Sequence, residues 1–193
     1  MSSRISRRSA LRGVAIAALS AGLAGCAGYN APPNAFHAIL QAPYTLDSGD
    51  VVTITVFEQA DLTRNYSVDK AGYIAFPLVG SVPARGRTLK QLEGTLAAKL
   101  RQGFLRDPDV SAEVATYRPF YIMGQVGRAG QYRYVPGMTV QNAIASAGGF
   151  NARAAQANVD ITRAINGKVI TGRVPISDPI LPGDTIYIRE RVF

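Results

Sequence analysis

The stretch Thr88-Leu-Lys-Gln91-Leu-Glu-Gly-Thr-Leu-Ala-Ala-Lys-Leu-Arg-Gln-Gly103 carries the clearest helical pattern in the chain. Thr88 and Gln91 have capping-box spacing, in which each side chain takes up a backbone N–H that has no partner inside the helix. Leu89, Leu92, Leu96 and Leu100 recur on one face, so that face must be buried, and Gly103 supplies a stop. The flanking sequence has period two instead. Upstream, Val51-Val-Thr-Ile-Thr-Val-Phe57 follows a Ser48-Gly49-Asp50 turn and puts Val52, Ile54 and Val56 on one side of a strand. Tyr66 to Val68 and Tyr73 to Pro77 read as further short strands. Downstream, Val110, Ala112, Val114 and Thr116 alternate with Ser111 and Glu113, as in a half-buried strand. One helix among short strands defines a first mixed module, residues 43–117.

The same grammar continues in residues 118–193. Phe120 to Met123 is a strand, Gly124 to Gly130 a glycine-rich turn, and Gln131 to Val135 a second strand. A short helix starts at Thr139, runs through Val140, Ala143, Ile144 and Ala147, and stops at Gly148-Gly149. Asn166-Gly167 lies between Val159 to Ala164 and Lys168 to Gly172, and this dipeptide supplies the positive φ angles of a tight hairpin turn. Pro182-Gly183-Asp184 then opens a closing strand, Thr185 to Ile188, as Gly49-Asp50 opens the first one. The fold class is α+β, in two small β-rich modules.

The N-terminus has a different logic. Arg4, Arg7, Arg8 and Arg12 precede a run of small and apolar residues, 14–25, that ends at the only cysteine, Cys26. Twelve residues are too few to cross a bilayer as a helix, which needs about 20; they fit the apolar core of a secretory signal, residues 1–25. Leu23-Ala24-Gly25-Cys26 resembles the bacterial lipobox, in which the thiol is joined to a diacylglyceryl group and the chain is cut just before it. Arg7 and Arg8, within Ser6 to Arg12, also resemble a twin-arginine export signal. Ala10 stands where that signal carries Phe, so the general secretion route stays open. Ala27 is not the Asp that retains such lipoproteins in the inner membrane, so outer-membrane delivery is expected. Residues 26–42, rich in Ala, Asn and Pro, read as a flexible tether.

Composition removes several function classes. At 47% apolar and 18% charged, the chain is globular. Half of its net charge of +8 comes from the four N-terminal arginines, and the other bases lie in short groups near acids or turns, so no phosphate-binding stripe or nucleic-acid partner is expected. One His and one Cys cannot make a zinc site by themselves. A thiolate nucleophile at Cys26 would need a base, and His37 sits in the tether. Gly124 to Gly130 lacks the Lys-Ser/Thr of a phosphate loop and leads into a strand. Asp50 and Asp184 look like a carboxylate pair for glycoside hydrolysis, but each sits in a Gly-Asp turn before a strand, where Asp bonds its own backbone. No catalytic residue, metal or cofactor is expected, and the protein reads as a non-enzyme. Tyr132 and Tyr134 are the candidate sugar or subunit contacts, with packing at a domain seam the plainer role.

Taken in order, Tyr44 to Asp50, Gly72 to Gly80, Gly86-Arg-Thr88 and Asp107-Pro-Asp-Val110 resemble the polysaccharide biosynthesis/export domain. Gly124-Gln-Val126, Gly130-Gln-Tyr132, Thr139 to Ala143, Ala147-Gly-Gly149, Arg163 and Pro182-Gly-Asp184 resemble the soluble-ligand-binding β-grasp (SLBB) domain that follows it in outer-membrane polysaccharide export lipoproteins of the Wza type. The resemblance implies a periplasmic, lipid-anchored ring of copies that conducts capsular polysaccharide or exopolysaccharide outward, docked to an inner-membrane co-polymerase. Two departures stand out. Ala129 replaces the Pro common before Gly130, and the sequence ends nine residues after Asp184, without the amphipathic helix that forms the family's pore. The expectation is therefore a separate outer-membrane β-barrel partner. The alternative is a monomeric periplasmic lipoprotein that binds a glycan or small ligand.

Overall fold

The computed structural model describes residues 34–165 and 167–192. In chain order the elements are α1 (Asn34–Gln41), β1 (Val51–Val56), β2 (Arg64–Ser67), β3 (Tyr73–Phe76), β4 (Gly80–Pro83), α2 (Leu89–Arg101), β5 (Val110–Thr116), β6 (Phe120–Gly124), β7 (Gly130–Tyr132), α3 (Val140–Ser146), β8 (Asn158–Ile165), β9 (Lys168–Pro175) and β10 (Thr185–Ile188). The fold is α+β.

β1 is the centre of the first module because both of its edges are paired, antiparallel to β2 and to β5. Its alternation is kept in three dimensions, with Val52, Ile54 and Val56 at 0–2% exposure. Thr88 and Gln91 form the capping box, and Leu92, Leu96 and Leu100 are fully buried against the sheet. The hairpin of β3 and β4 closes this core with Ile74, Phe76 and Val82. β4 has no signal of its own in Gly80-Ser-Val-Pro83; its strand conformation comes from pairing with β3.

In the second module a five-stranded sheet has the order β7-β6-β10-β8-β9. β10 lies at its centre, parallel to β6 and antiparallel to β8, so the last strand of the chain closes a sheet begun at Phe120. α3 is capped by Thr139 and Asn142 and buries Val140, Ala143 and Ile144 against Phe120, Ile161 and Ile186. β8 and β9 pair from Asn158↔Pro175 to Ile165↔Lys168, and Gly167 takes φ +76° in the turn. Asn166, the other expected turn residue, lies outside the described residues.

Three local expectations change. The end of the segment that reads as a tether is the helix α1, which stops before Ala42-Pro43 because a residue preceding proline disfavours the helical region. β7 ends at Tyr132 rather than Val135. β2 starts at Arg64, two residues before the expected strand, because pairing with Ile54 extends it.

Candidate functional site

The two Gly-Asp strand openings converge on the segment that joins the modules, Tyr117-Arg118-Pro119. Gly49 and Gly183 have φ of +92° and +86°, values that suit glycine, and both turns abut the Arg118 side chain. A Cβ on Gly49 would lie 3.5 Å from Arg118 Cβ, and one on Gly183 only 2.8 Å from Arg118 Nε. The backbone fixes the second turn in place. Gly183 N–H donates to Pro119 O at 3.1 Å, and Tyr121 N–H donates to Asp184 O at 2.9 Å.

Asp50 is wholly buried and saturated with donors. Its Oδ2 accepts from Asp47 N–H (2.9 Å), Tyr44 O–H (2.6 Å) and Arg118 Nη1 (3.1 Å), and its Oδ1 accepts from Arg118 N–H (2.8 Å). Arg118 Nη1 also donates to Tyr44 Oη at 2.8 Å. Burial, and then the hydrogen bond to Asp50, push the Tyr44 phenol well above its ordinary value, because a phenolate would sit beside a carboxylate out of water. Asp184 repeats the design. It accepts Leu181 N–H at 2.7 Å and a two-point contact from Arg163, with side-chain exposures of 1% and 3%. Burial pushes the Asp184 carboxyl up, and the Arg163 pair offsets that shift in part.

Both carboxylates thus bond the backbone three residues upstream, as the turn reading of the sequence expects. What that reading missed is that each also meets a guanidinium. A buried carboxylate needs a cation or several donors; two Asp residues opening buried strands were therefore a signal to look for two arginines. Packed against these partners, neither aspartate is an open acid or base.

The aromatic residues form a line through the same junction. Tyr44 meets Tyr117 edge to face at 5.1 Å, and Tyr117 meets Tyr134 the same way at 5.4 Å, so the line runs from the first module into the second core. Of the candidate contacts, Tyr134 lies beyond β7 and is 9% exposed within the core. Tyr132 stacks on Phe120 at 6.0 Å and donates its hydroxyl to Arg128 O at 2.7 Å. The two rings therefore do not share an open strand face. The lipidation and export-signal candidates, Arg7, Arg8, Leu23, Ala24, Gly25 and Cys26, lie outside the described residues.

Beside this junction lies a cleft of about 750 Å³, walled by both modules and by α1. His37 Nε2 sits 3.0 Å from Asp178 Oδ2, fixing α1 to the second module. Among the described residues, no group of His, Cys, Asp and Glu is placed to hold a metal ion, and no helix is long and apolar enough to cross a membrane.

Comparison with known proteins fits this two-part build. Residues 39–115 match the polysaccharide biosynthesis/export protein family, and residues 119–172 match the SLBB domain. The chain is therefore built of a polysaccharide export domain followed by an SLBB domain. It is 39% identical to the exopolysaccharide production protein ExoF of Rhizobium meliloti, over 46% of this chain and 21% of that protein. It is also 28% identical to the EPS I polysaccharide export outer membrane protein EpsA of Ralstonia nicotianae, over 56% of this chain and 35% of that one. The alignments thus span about a third or less of these curated relatives.

Proposed function

We propose that the protein is a periplasmic component of a capsular polysaccharide or exopolysaccharide export machine, held to the outer membrane by a lipid on Cys26 and assembled into a ring that conducts the polymer. The observation that carries the reading is the pairing of an export domain with an SLBB domain, joined by a segment that both Gly-Asp turns grip. Such a joint suits a building block whose shape must be reproduced from copy to copy. Exposed apolar side chains on both modules, Phe57 and Phe104 on one and Tyr121, Met123 and Tyr187 on the other, support assembly through unlike surfaces, and such a contact closes into a ring when its rotation allows. The role is one of shape and assembly, with no catalysis. Its proposed partners are an inner-membrane co-polymerase, a separate outer-membrane β-barrel and the polysaccharide itself.

The test is surface and secreted polysaccharide in an in-frame deletion strain, complemented with the intact protein or with Cys26→Ala. Loss of polymer that only the intact protein restores is expected. Unchanged polymer in every strain, with no second export protein to mask the loss, overturns the reading. Native mass measurement of the purified protein separates the ring from the alternative, a monomeric glycan- or small-ligand-binding lipoprotein.

A further inference from the structure

We infer that the cleft beside the module junction is a binding site for a neutral saccharide segment. Its volume of about 750 Å³ is that of a ligand site, and it lies between two modules, where such sites concentrate. Three arginines line it, yet each is already matched by a carboxylate. Arg85 Nε lies 2.8 Å from Asp47, Arg118 Nη1 3.1 Å from Asp50, and Arg163 Nη2 2.6 Å from Asp184. The charges cancel pair by pair. An anionic ligand would have to compete with these carboxylates for the guanidinium groups, and a cation would meet the guanidinium groups themselves. A purely apolar ligand would bury the polar groups of the wall without replacing their water, which is costly.

A neutral, hydroxyl-rich ligand has none of these defects. Its hydroxyls both donate and accept, matching a wall that holds the half-buried Asp47 carboxylate and the exposed Arg85 guanidinium side by side. The rings of Tyr44, Tyr117 and Tyr134 add apolar surface against which the C–H faces of a sugar can pack. The choice of a saccharide among hydroxyl-rich compounds rests on the export reading; the neutrality of the ligand rests on the ion pairs alone.

The test uses the full chain and saturation-transfer NMR, with neutral hexasaccharides of glucose, galactose and mannose as probes and hexagalacturonate as the anionic comparison. At least one neutral hexasaccharide is expected to bind, and hexagalacturonate more weakly or not at all. Ala164 and Thr45 are exposed residues on the cleft wall. Ala164→Trp fills the space from β8, and Thr45→Trp fills it from the first module. Each is expected to abolish binding at an unchanged melting temperature, while Ser111→Trp, on exposed β5 surface away from the cleft, keeps it. If one blocking variant fails to fold, the other decides. The inference is overturned if no neutral hexasaccharide binds at millimolar concentration, if hexagalacturonate binds as well as the neutral sugars, or if a folded blocking variant still binds. The deletion-strain phenotype is scored independently of sugar binding, so loss of this inference leaves the export reading standing.

Discussion

Arg163 and Asp184 meet through two hydrogen bonds, Nε to Oδ1 at 2.9 Å and Nη2 to Oδ2 at 2.6 Å, with both side chains almost wholly out of water. The pair spans 21 residues of sequence and ties β8 to the turn that opens β10. Taking away one partner leaves the other charged in a medium that cannot solvate it, which typically costs about 3–5 kcal/mol. Arg163→Met is expected to destabilise by that amount in urea titrations. The double variant Arg163→Met/Asp184→Asn removes the orphaned charge but keeps an acceptor for Leu181 N–H, so it should be more stable than Arg163→Met alone. A double variant less stable than the single would contradict this account of the pair.

Gly183 offers a separable test of the joint. At φ +86° any side chain is strained, and a Cβ would also press on Arg118 Nε at 2.8 Å. Gly137 has nearly the same angle, φ +84°, with nothing within 4 Å of its virtual Cβ. Gly137→Ala should therefore cost only the conformational penalty, about 1–2 kcal/mol. Gly183→Ala should cost more, and the excess should vanish when Arg118→Ala is present. A double-mutant cycle that shows no coupling between 183 and 118 would refute the contact.

Tyr44 gives the joint a signature in alkali. Burial, and with it the hydrogen bond its hydroxyl donates to Asp50 at 2.6 Å, favours the protonated phenol in the folded state, so its pKa is raised. Between the unfolded and folded values the native state holds a proton that the unfolded chain has released. Stability is thus fully present below about pH 10 and is lost as pH rises above it. Tyr134, raised mainly by burial, contributes with the same sign. Tyr44→Phe should cost about 1 kcal/mol at neutral pH through the lost hydrogen bond and should flatten the alkaline decline. An unchanged slope from pH 9 to 11 in the variant would show that Tyr44 is not held protonated by the fold.

How much of this was readable beforehand follows the range of each signal. The α2 stripe, the β1 alternation, both Thr caps and the positions of the β8–β9 strands are local patterns, and all are found in the structure. The turn role of Asp50 is equally local, since its first partner is Asp47 N–H, but Arg118 lies 68 residues away, and no spacing rule spans that distance. β4 and α1 were missed because their conformations come from neighbours, β3 in one case and the second module in the other. Alternation along the expected strand puts Tyr134 on the same face as Tyr132; the end of β7 at Tyr132 and the edge-to-face contact with Tyr117 bring it into the core instead.

The two hydrophobic cores share no buried residue, one built on Leu92, Leu96 and Leu100 and the other on Phe120, Ile144 and Ile186. Cooperativity between them must pass through the joint, where Arg118 bonds Asp50 and packs on Gly183. Leu96→Ala and Ile144→Ala each empty a fully packed site and should cost about 2–5 kcal/mol. In an otherwise intact chain both should lower one common unfolding transition, because a module that melts alone strands Arg118 or Asp50 without its partner. With Arg118→Ala in the background that penalty is gone, and each core variant should lower only its own module's transition. Peptide-resolved hydrogen exchange in urea distinguishes the cases. If the modules already melt separately in the unmodified protein, the joint does not couple them; if they still melt together after Arg118→Ala, the coupling comes from the bond that the residue 118 N–H keeps to Asp50 Oδ1 and from the Tyr44–Tyr117–Tyr134 contacts.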